Sequence, residues 1–285
     1  MSLSAYLGQL LKGLRSDPVD PESHKREHGS LSPFMLQRAF AYSKSERHFL
    51  DGDNMQDASE WLIKMLEEVF IEHPDLRKLF EIEQHTVIKC QAEGCGHGHA
   101  VGSSTELTFG LAIPEQKTPI GIQELISNAL GADELPTDYI CEGCKQSGTS
   151  EKQNTFVKLP ENLIMLVDRI VPATKDKKTT RINFDLGDLS VGGEWYRMTA
   201  VICHWSQNHS TERGHYSTFR KHNGKWWELD DAKVSEAQER DIDDNRTNHS
   251  SIVLLRKVID LGAEHHIQPC RSTRNFDCSG VLCLL

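Results

Sequence analysis

The chain has 285 residues, 38% hydrophobic, with a formal net charge of -10 at pH 7. That length can bury one sizeable core or a core with an appended subdomain. The acidic balance speaks against nucleic-acid and anionic-membrane surfaces, which want clustered Lys and Arg, and it suits a protein partner.

Residues 1–15 carry a short amphipathic pattern through Leu3, Tyr6, Leu7, Leu10, Leu11 and Leu14. No basic n-region or long apolar h-region marks a signal peptide there, and no apolar run reaches the length of a membrane span. Cytosol or nucleus is therefore the expected location. Residues 16–32, with Pro18, Pro21 and Gly29, read as a loop, and residues 33–42 as a short helix.

The clearest helix follows. Asp53 to Gln56 has the form of a capping box, and Trp61, Leu62, Met65, Leu66, Val69 and Phe70 then recur at helical spacing until Pro74. Strands are predicted over 77–113 and a short helix through Ile122, Leu125, Ile126, Ala129 and Leu130. Leu159-Pro160 leads into a strand at 163–167, and residues 173–181 form a basic loop. Alternation at Tyr196, Met198, Ala200 and Ile202 predicts a strand over 195–204 with one buried face. A polar loop over 207–213 precedes a hairpin, 215–221 and 225–229, whose turn contains Asn223-Gly224. Residues 252–258 read as apolar strand or helix, and the tail, 259–285, as weakly ordered.

Eight cysteines in a reducing compartment should be free or metal-bound. Cys90/Cys95 and Cys141/Cys144 form two close pairs with 45 residues between them, which suits a structural zinc whose thiolates converge from two stacked turns. His97 and His99 lie near enough in sequence to replace one thiolate. The competing reading is four buried reduced cysteines on neighbouring hairpins. A closed four-ligand site would leave no position for substrate.

The second constellation is Gly214-His215-Tyr216 with Trp226-Trp227-Glu228-Leu229-Asp230-Asp231. A catalytic imidazole needs one nitrogen toward a nucleophile and the other on an acceptor that fixes its tautomer. A strand-borne His215 with Asp230 on the partner strand meets that need, and Gly214 permits close backbone approach. The competing reading is an exposed histidine beside a solvated Asp pair. His204 and His209 are expected to face loops. Cys203 is expected to be a buried inert thiol, and Tyr216, Phe219, Trp226 and Trp227 mostly core.

These residues resemble the ubiquitin-specific protease family. The histidine box spans Gly214 to Asp231, and the strand at 196–204 leads into it. Met55-Gln56-Asp57-Ala58-Ser59-Glu60-Trp61-Leu62 looks like the family's thumb-helix box, and Leu159 to Leu166 like its palm strand after the second cysteine pair. The resemblance runs from about residue 45 to 255. It implies an α+β, papain-like cysteine protease fold over 1–258, with thumb, palm and zinc-bearing fingers at about 82–155. It implies ubiquitin or a ubiquitinated protein as partner. His215 becomes general base, Asp230 its orienter with Asp231 assisting, and Asp57 and Glu60 the holders of ubiquitin's C-terminal tail. Cys90, Cys95, Cys141 and Cys144 become the structural zinc ligands.

The sequence departs from that family in one decisive respect. The nucleophile box should precede the thumb helix, yet no cysteine occurs before Cys90. The chain reads as starting one helix late, with an incomplete thumb. Asp168-Arg169-Ile170 also stands where the family tends to have a basic residue, Arg and Phe. The expected function is thiol-dependent deubiquitination with this polypeptide inactive. The alternatives are a ubiquitin-binding pseudoenzyme and a zinc-stapled scaffold.

Overall fold

A computed structural model describes residues 57–171, 173–174, 176–206, 214–231, 233–244 and 249–258. The expectations for 1–56, the loop at 207–213, His209 and the tail lie outside these residues. The chain divides into two compact units. One comprises Met1–Leu79 with Asp260–Leu285, and the other Phe80–Ile259.

The described part of the first unit is helical. Helix α1, Ala58–Glu72, starts where Asp57 accepts from the backbone N–H groups of Ser59 (2.9 Å) and Glu60 (3.1 Å). Asp57 therefore satisfies two of the orphan donors of the first turn and places a negative charge at the positive end of the macrodipole. Leu62, Met65, Leu66, Val69 and Phe70 are buried, as the helical period requires. The described start of the helix thus has its cap at Asp57, whereas the expected cap at Asp53 lies outside the described residues. Helix α2, Pro74–Arg77, begins with the proline that cannot continue α1.

The second unit is mostly sheet. Strands β1 (Ile82–Cys90), β2 (Gly98–Glu106), β5 (Asp133–Glu134) and β6 (Ser150–Lys158) form an antiparallel sheet in the order β2-β1-β6-β5. An eight-stranded sheet is built from β3 (Thr108–Ala112), β7 (Asn162–Asp168), β9 (Asp188–Val191), β10 (Glu194–Trp205), β11 (His215–His222), β12 (Lys225–Asp230), β13 (Lys233–Ala237) and β14 (Ser250–Lys257). Its order is β13-β12-β11-β10-β14-β7-β3, with β9 alongside β10. Only β3 and β7 pair in parallel in that sheet. A two-stranded pair, β4 (Ile120–Gly121) and β8 (Ile182–Asn183), leads into helix α3, Ile122–Ala129. A short helix α4, Glu239–Asp244, precedes β14. The two sheets are joined by consecutive strands: β2 runs into β3, and β6 into β7 through Leu159-Pro160.

Burial explains the strand predictions and one error among them. The alternation in β10 predicts one buried face, but Ala200 through His204 are all buried. It is a central strand, flanked at its edges by β11 and β14, and along this stretch successive residues are buried on both faces. The run at 252–255, ambiguous between strand and helix, is β14, likewise buried on both faces. His204, expected to face a loop, lies on β10, 8% exposed, with its ring stacked on Tyr216 at 4.6 Å. Phe219 and Trp226 are core as expected, whereas Tyr216 and Trp227 are only partly buried.

Two buried cations pin the sheet to the segment after β7. Arg169 donates from Nε to Ser250 O (2.7 Å), from Nη2 to Ser250 Oγ (3.0 Å), and from Nη1 to Thr180 O (2.8 Å) and Lys178 O (3.1 Å). Lys177 Nζ donates to His204 O. Burial lowers Arg169 to about 10 and Lys177, which also feels Arg169, to about 8. The basic loop expected at 173–181 thus turns one of its lysines inward. The fan of bonds from Arg169 satisfies carbonyls that would otherwise be stranded in a dry interior. Arg169→Ala is expected to destabilise the chain by about 3 kcal/mol, because several buried acceptors lose their donor at once. Urea unfolding measures this, with Arg220→Ala, at a partly exposed strand position, as the control.

Candidate active site and sulfur cluster

The histidine hairpin owes its geometry to its turn. Asn223 and Gly224 both take positive φ, 49° and 77°, as a two-residue type I′ loop demands. The loop is closed by the pair His222–Lys225, and the register runs from there to Thr218–Leu229. One further step sets Ser217 opposite Asp230. His215 is then the diagonal neighbour of Asp230 on the same face of the sheet, within reach of a side-chain hydrogen bond. The bond forms between His215 Nε2 and Asp230 Oδ1.

Nδ1 is thereby the ring nitrogen left to a reacting group. The hydrogen bond that His215 donates to Asp230 raises its pKa above the ordinary value; burial opposes this, and the charges of Asp230 and Asp231 add to it. Both partners are nearly half exposed, 48% and 40%, so solvent screens much of this attraction. Asp231 follows at φ 51°, and one of its oxygens lies within 4.8 Å of the His215 and Asp230 donor atoms.

Neighbouring residues hold the histidine strand in place. Gly214 has no room for a side chain: a Cβ there would collide with both His204 Nε2 and Trp205 O. Trp205 pairs with His215 across β10 and β11, and its Nε1 donates to the buried Ser217 Oγ at 2.7 Å. The Trp205 ring also lies 4.5 Å from that of His249, whose pKa burial pushes down to about 4, helped by Lys177. Sequence reasoning found Gly214 but missed Trp205 and Ser217. Their signal was strand parity, since both lie on the face of His215.

The expected tail-binding pair lies in the first unit. Asp57 uses Oδ1 to cap α1, and Glu60 lies 3.5 Å from Lys64 on the next turn. Among the described cysteines, Cys203 is 1% exposed within the core, as expected, and the other four gather elsewhere.

Those four converge as the spacing predicts. Cys90 ends β1, Cys95 sits in the turn to β2, and Cys141 and Cys144 lie on the loop before β6. All four sulfurs lie within 4.8 Å of one another, with Cys90–Cys144 and Cys95–Cys141 both at 3.7 Å. Zinc–thiolate bonds of about 2.3 Å in a tetrahedron require sulfur–sulfur edges of about 3.8 Å. The donor set therefore fits a tetrahedral metal. Neither His97 nor His99 belongs to the set. His97 instead packs over Gly143, where a Cβ would meet its side chain at 2.7 Å.

The thiols also differ in acidity. The Thr149 hydroxyl and then the Ala92 N–H lower Cys90 to about 6. At Cys95 the His97 N–H lowers the pKa, but burial and the neighbouring thiols outweigh it and push the value up to about 11. Four thiols this close together suit a cation that would deprotonate all of them.

Comparisons with known proteins bear on the family and the fold. Residues 2–255 match the family model described as ubiquitin carboxyl-terminal hydrolase. Ubiquitin carboxyl-terminal hydrolase 23 of Arabidopsis thaliana is 25% identical over 179 residues, covering 59% of this chain and 20% of that protein. Ubiquitin carboxyl-terminal hydrolase 15 of Homo sapiens is 29% identical over 123 residues, covering 40% of this chain and 12% of that protein. The matched part thus spans a fifth or less of the length of these relatives. Among solved structures, the SAGA Ubp8/Sgf11/Sus1/Sgf73 deubiquitinating module bound to ubiquitin aldehyde matches with a TM-score of 0.62 at 18% identity. That match covers 79% of this chain and 54% of the other. A second structure of that module, bound to monoubiquitin, gives 0.63 at 18% identity, covering 79% and 53%. The fold is accordingly the papain-like α+β fold, and this chain belongs to the ubiquitin carboxyl-terminal hydrolase family.

Proposed function

We propose that this chain is a domain of protein deubiquitination that engages ubiquitin through the base half of a cysteine-hydrolase site. The carboxylate of Asp230 on Nε2 of His215 carries this reading, because it fixes the tautomer that a general base needs. In a full site the imidazole takes a thiol proton through Nδ1. The thiolate attacks the carbonyl at the end of the ubiquitin tail, and the imidazolium returns the proton to the leaving amine. None of the five described cysteines supplies that sulfur: Cys203 is buried in the core and the rest form the cluster. The described residues, on this reading, hold ubiquitin without cutting it. Asp57 and Glu60, on an exposed helix start, are assigned to the ubiquitin tail, with Asp231 assisting Asp230. The ubiquitin-bound state of both Ubp8 structures supports the choice of partner. A reducing location, cytosol or nucleus, is assigned because a zinc–thiolate cluster needs its cysteines reduced.

We assign a structural zinc to Cys90, Cys95, Cys141 and Cys144. Bound there, it would tie the β1–β2 turn to the loop before β6 and so stiffen the outer sheet. Its removal by a chelator, or Cys141→Ser, is expected to abolish a stoichiometry of one zinc per chain. It should also raise amide exchange in β1, β2 and β6 while β10 and β14 stay protected. Equal protection with and without metal would count against a structural role.

The His215–Asp230 pair sets a pH dependence. His215 is held above its ordinary 6.5, so the pair's stabilisation is complete below 6.5 and is lost as pH rises through the raised value. Asp230→Asn should return the His215 titration toward 6.5, read from its ring-proton NMR shifts. An unmoved titration would show that the carboxylate does not hold the ring.

The functional reading is tested by adding the chain to labelled ubiquitin and, separately, to a fluorogenic ubiquitin substrate. Chemical-shift changes in ubiquitin with no release of fluorophore are expected. Turnover abolished by alkylating the cysteines would overturn the non-cutting assignment, and an unchanged ubiquitin spectrum would overturn the assigned partner.

A further inference from the structure

We propose that His215, Asp230 and Asp231 form a second metal site, separate from the sulfur cluster, that takes a borderline divalent cation such as Zn2+. One imidazole nitrogen and one oxygen from each carboxylate all lie within 4.8 Å of one another. Consecutive residues on a strand point to opposite faces, so Asp230 and Asp231 would ordinarily diverge. The left-handed backbone at Asp231, φ 51°, ends the strand and brings its carboxylate back toward the same imidazole. Asp230 takes the ring N–H, whereas Asp231 makes no ion pair or side-chain hydrogen bond among the described residues. A negative charge is thus left beside an already paired His and Asp.

Zinc bonds of about 2.0–2.2 Å place neighbouring donors roughly 3.5 Å apart. Reaching that spacing opens the His215–Asp230 hydrogen bond and brings the Asp231 carboxylate closer, at side chains that solvent leaves room to rotate. The imidazole selects Zn2+ over Mg2+ and Ca2+, which prefer all-oxygen shells of six or more. Three protein donors leave the fourth position to water. The binding stands apart from any catalytic role. One consequence does rest on the proposed function: a cation at Nε2 displaces the proton shared with Asp230, the ring carries that proton on Nδ1 instead, and no lone pair remains for a base.

The test is calorimetric titration of Zn2+ into full-length chain already carrying one equivalent at the four cysteines. A second binding event is expected for the natural chain. It should weaken by at least about tenfold in Asp231→Asn and in His215→Gln. Asparagine accepts a positive φ as readily as aspartate, so the first variant keeps the turn and removes only the charge. The His215 ring-proton resonances should shift as the second equivalent binds. No second event, an event undiminished in both variants, or Mg2+ competing at equal concentration would each overturn the site. Because no outcome is read from ubiquitin cleavage or binding, failure here is distinguishable from failure of the proposed function.

Discussion

The register of three adjacent strands is the constraint on which the rest of the second unit's chemistry depends. Strand β11 is held between β10 and β12, and a slip of one residue would turn His215 to the opposite face. Several independent features prevent that slip. The Asn223-Gly224 turn admits only a two-residue loop of one hand. Phe219 is sealed in the core. Gly214 can lie against His204 and Trp205 only because it has no side chain. The Trp205–Ser217 hydrogen bond ties the strands at the level where His215 emerges. A half-exposed contact between an imidazole and a carboxylate would be weak by itself. Here the backbone has already brought the partners together, so little conformational entropy opposes the bond.

That arrangement explains which parts of the site could be read from the sequence. Short-range chemistry was legible: Asn223-Gly224 announced the turn, and counting from it placed His215 near Asp230. The cysteine pairs were legible for a similar reason, since two tight turns with thiols at fixed spacing have few ways to face each other. Apolar periodicity found α1 and α3 because helices declare themselves within one window. The misreadings fall where burial depends on partners distant in the chain. Strand β10 looked half-exposed because its first residues do alternate, but Ala200 to His204 are buried on both faces of the sheet. His204 looked like a loop residue because nothing nearby shows that its ring will stack on Tyr216. Lys177 looked solvated within a basic stretch because its acceptor, the His204 carbonyl, lies 27 positions away. The short strands β4, β5, β8, β9 and β13 had too few residues to show a period.

The two metal-type constellations differ in how their donors are held. Around the four cysteines the backbone supplies the preorganisation: Gly94 and Gly96 take positive φ, and the Cys90 N–H donates to the His97 carbonyl at 2.8 Å. Cys90 is made more acidic chiefly by the Thr149 hydroxyl, while burial and the adjoining thiols outweigh the His97 N–H at Cys95. The cluster thus reads as a staple for a sheet that has little core of its own. Strands β2 and β6 are largely exposed.

At His215 the donors are exposed, and the protein fixes only the ring. This asymmetry follows from what each site must do. In the proposed role of staple, all four thiols are committed to the metal. In the proposed role of base, His215 keeps Nδ1 open while Asp230 secures Nε2. Asp231 breaks that economy by adding a second carboxylate that orientation alone does not require. The charge it brings strengthens any imidazolium that forms, and it also makes the same three side chains attractive to a cation. Whether the histidine meets a proton or a metal then depends on which is more available at the surface. That competition is built into the turn after β12 by the single left-handed residue that follows Asp230.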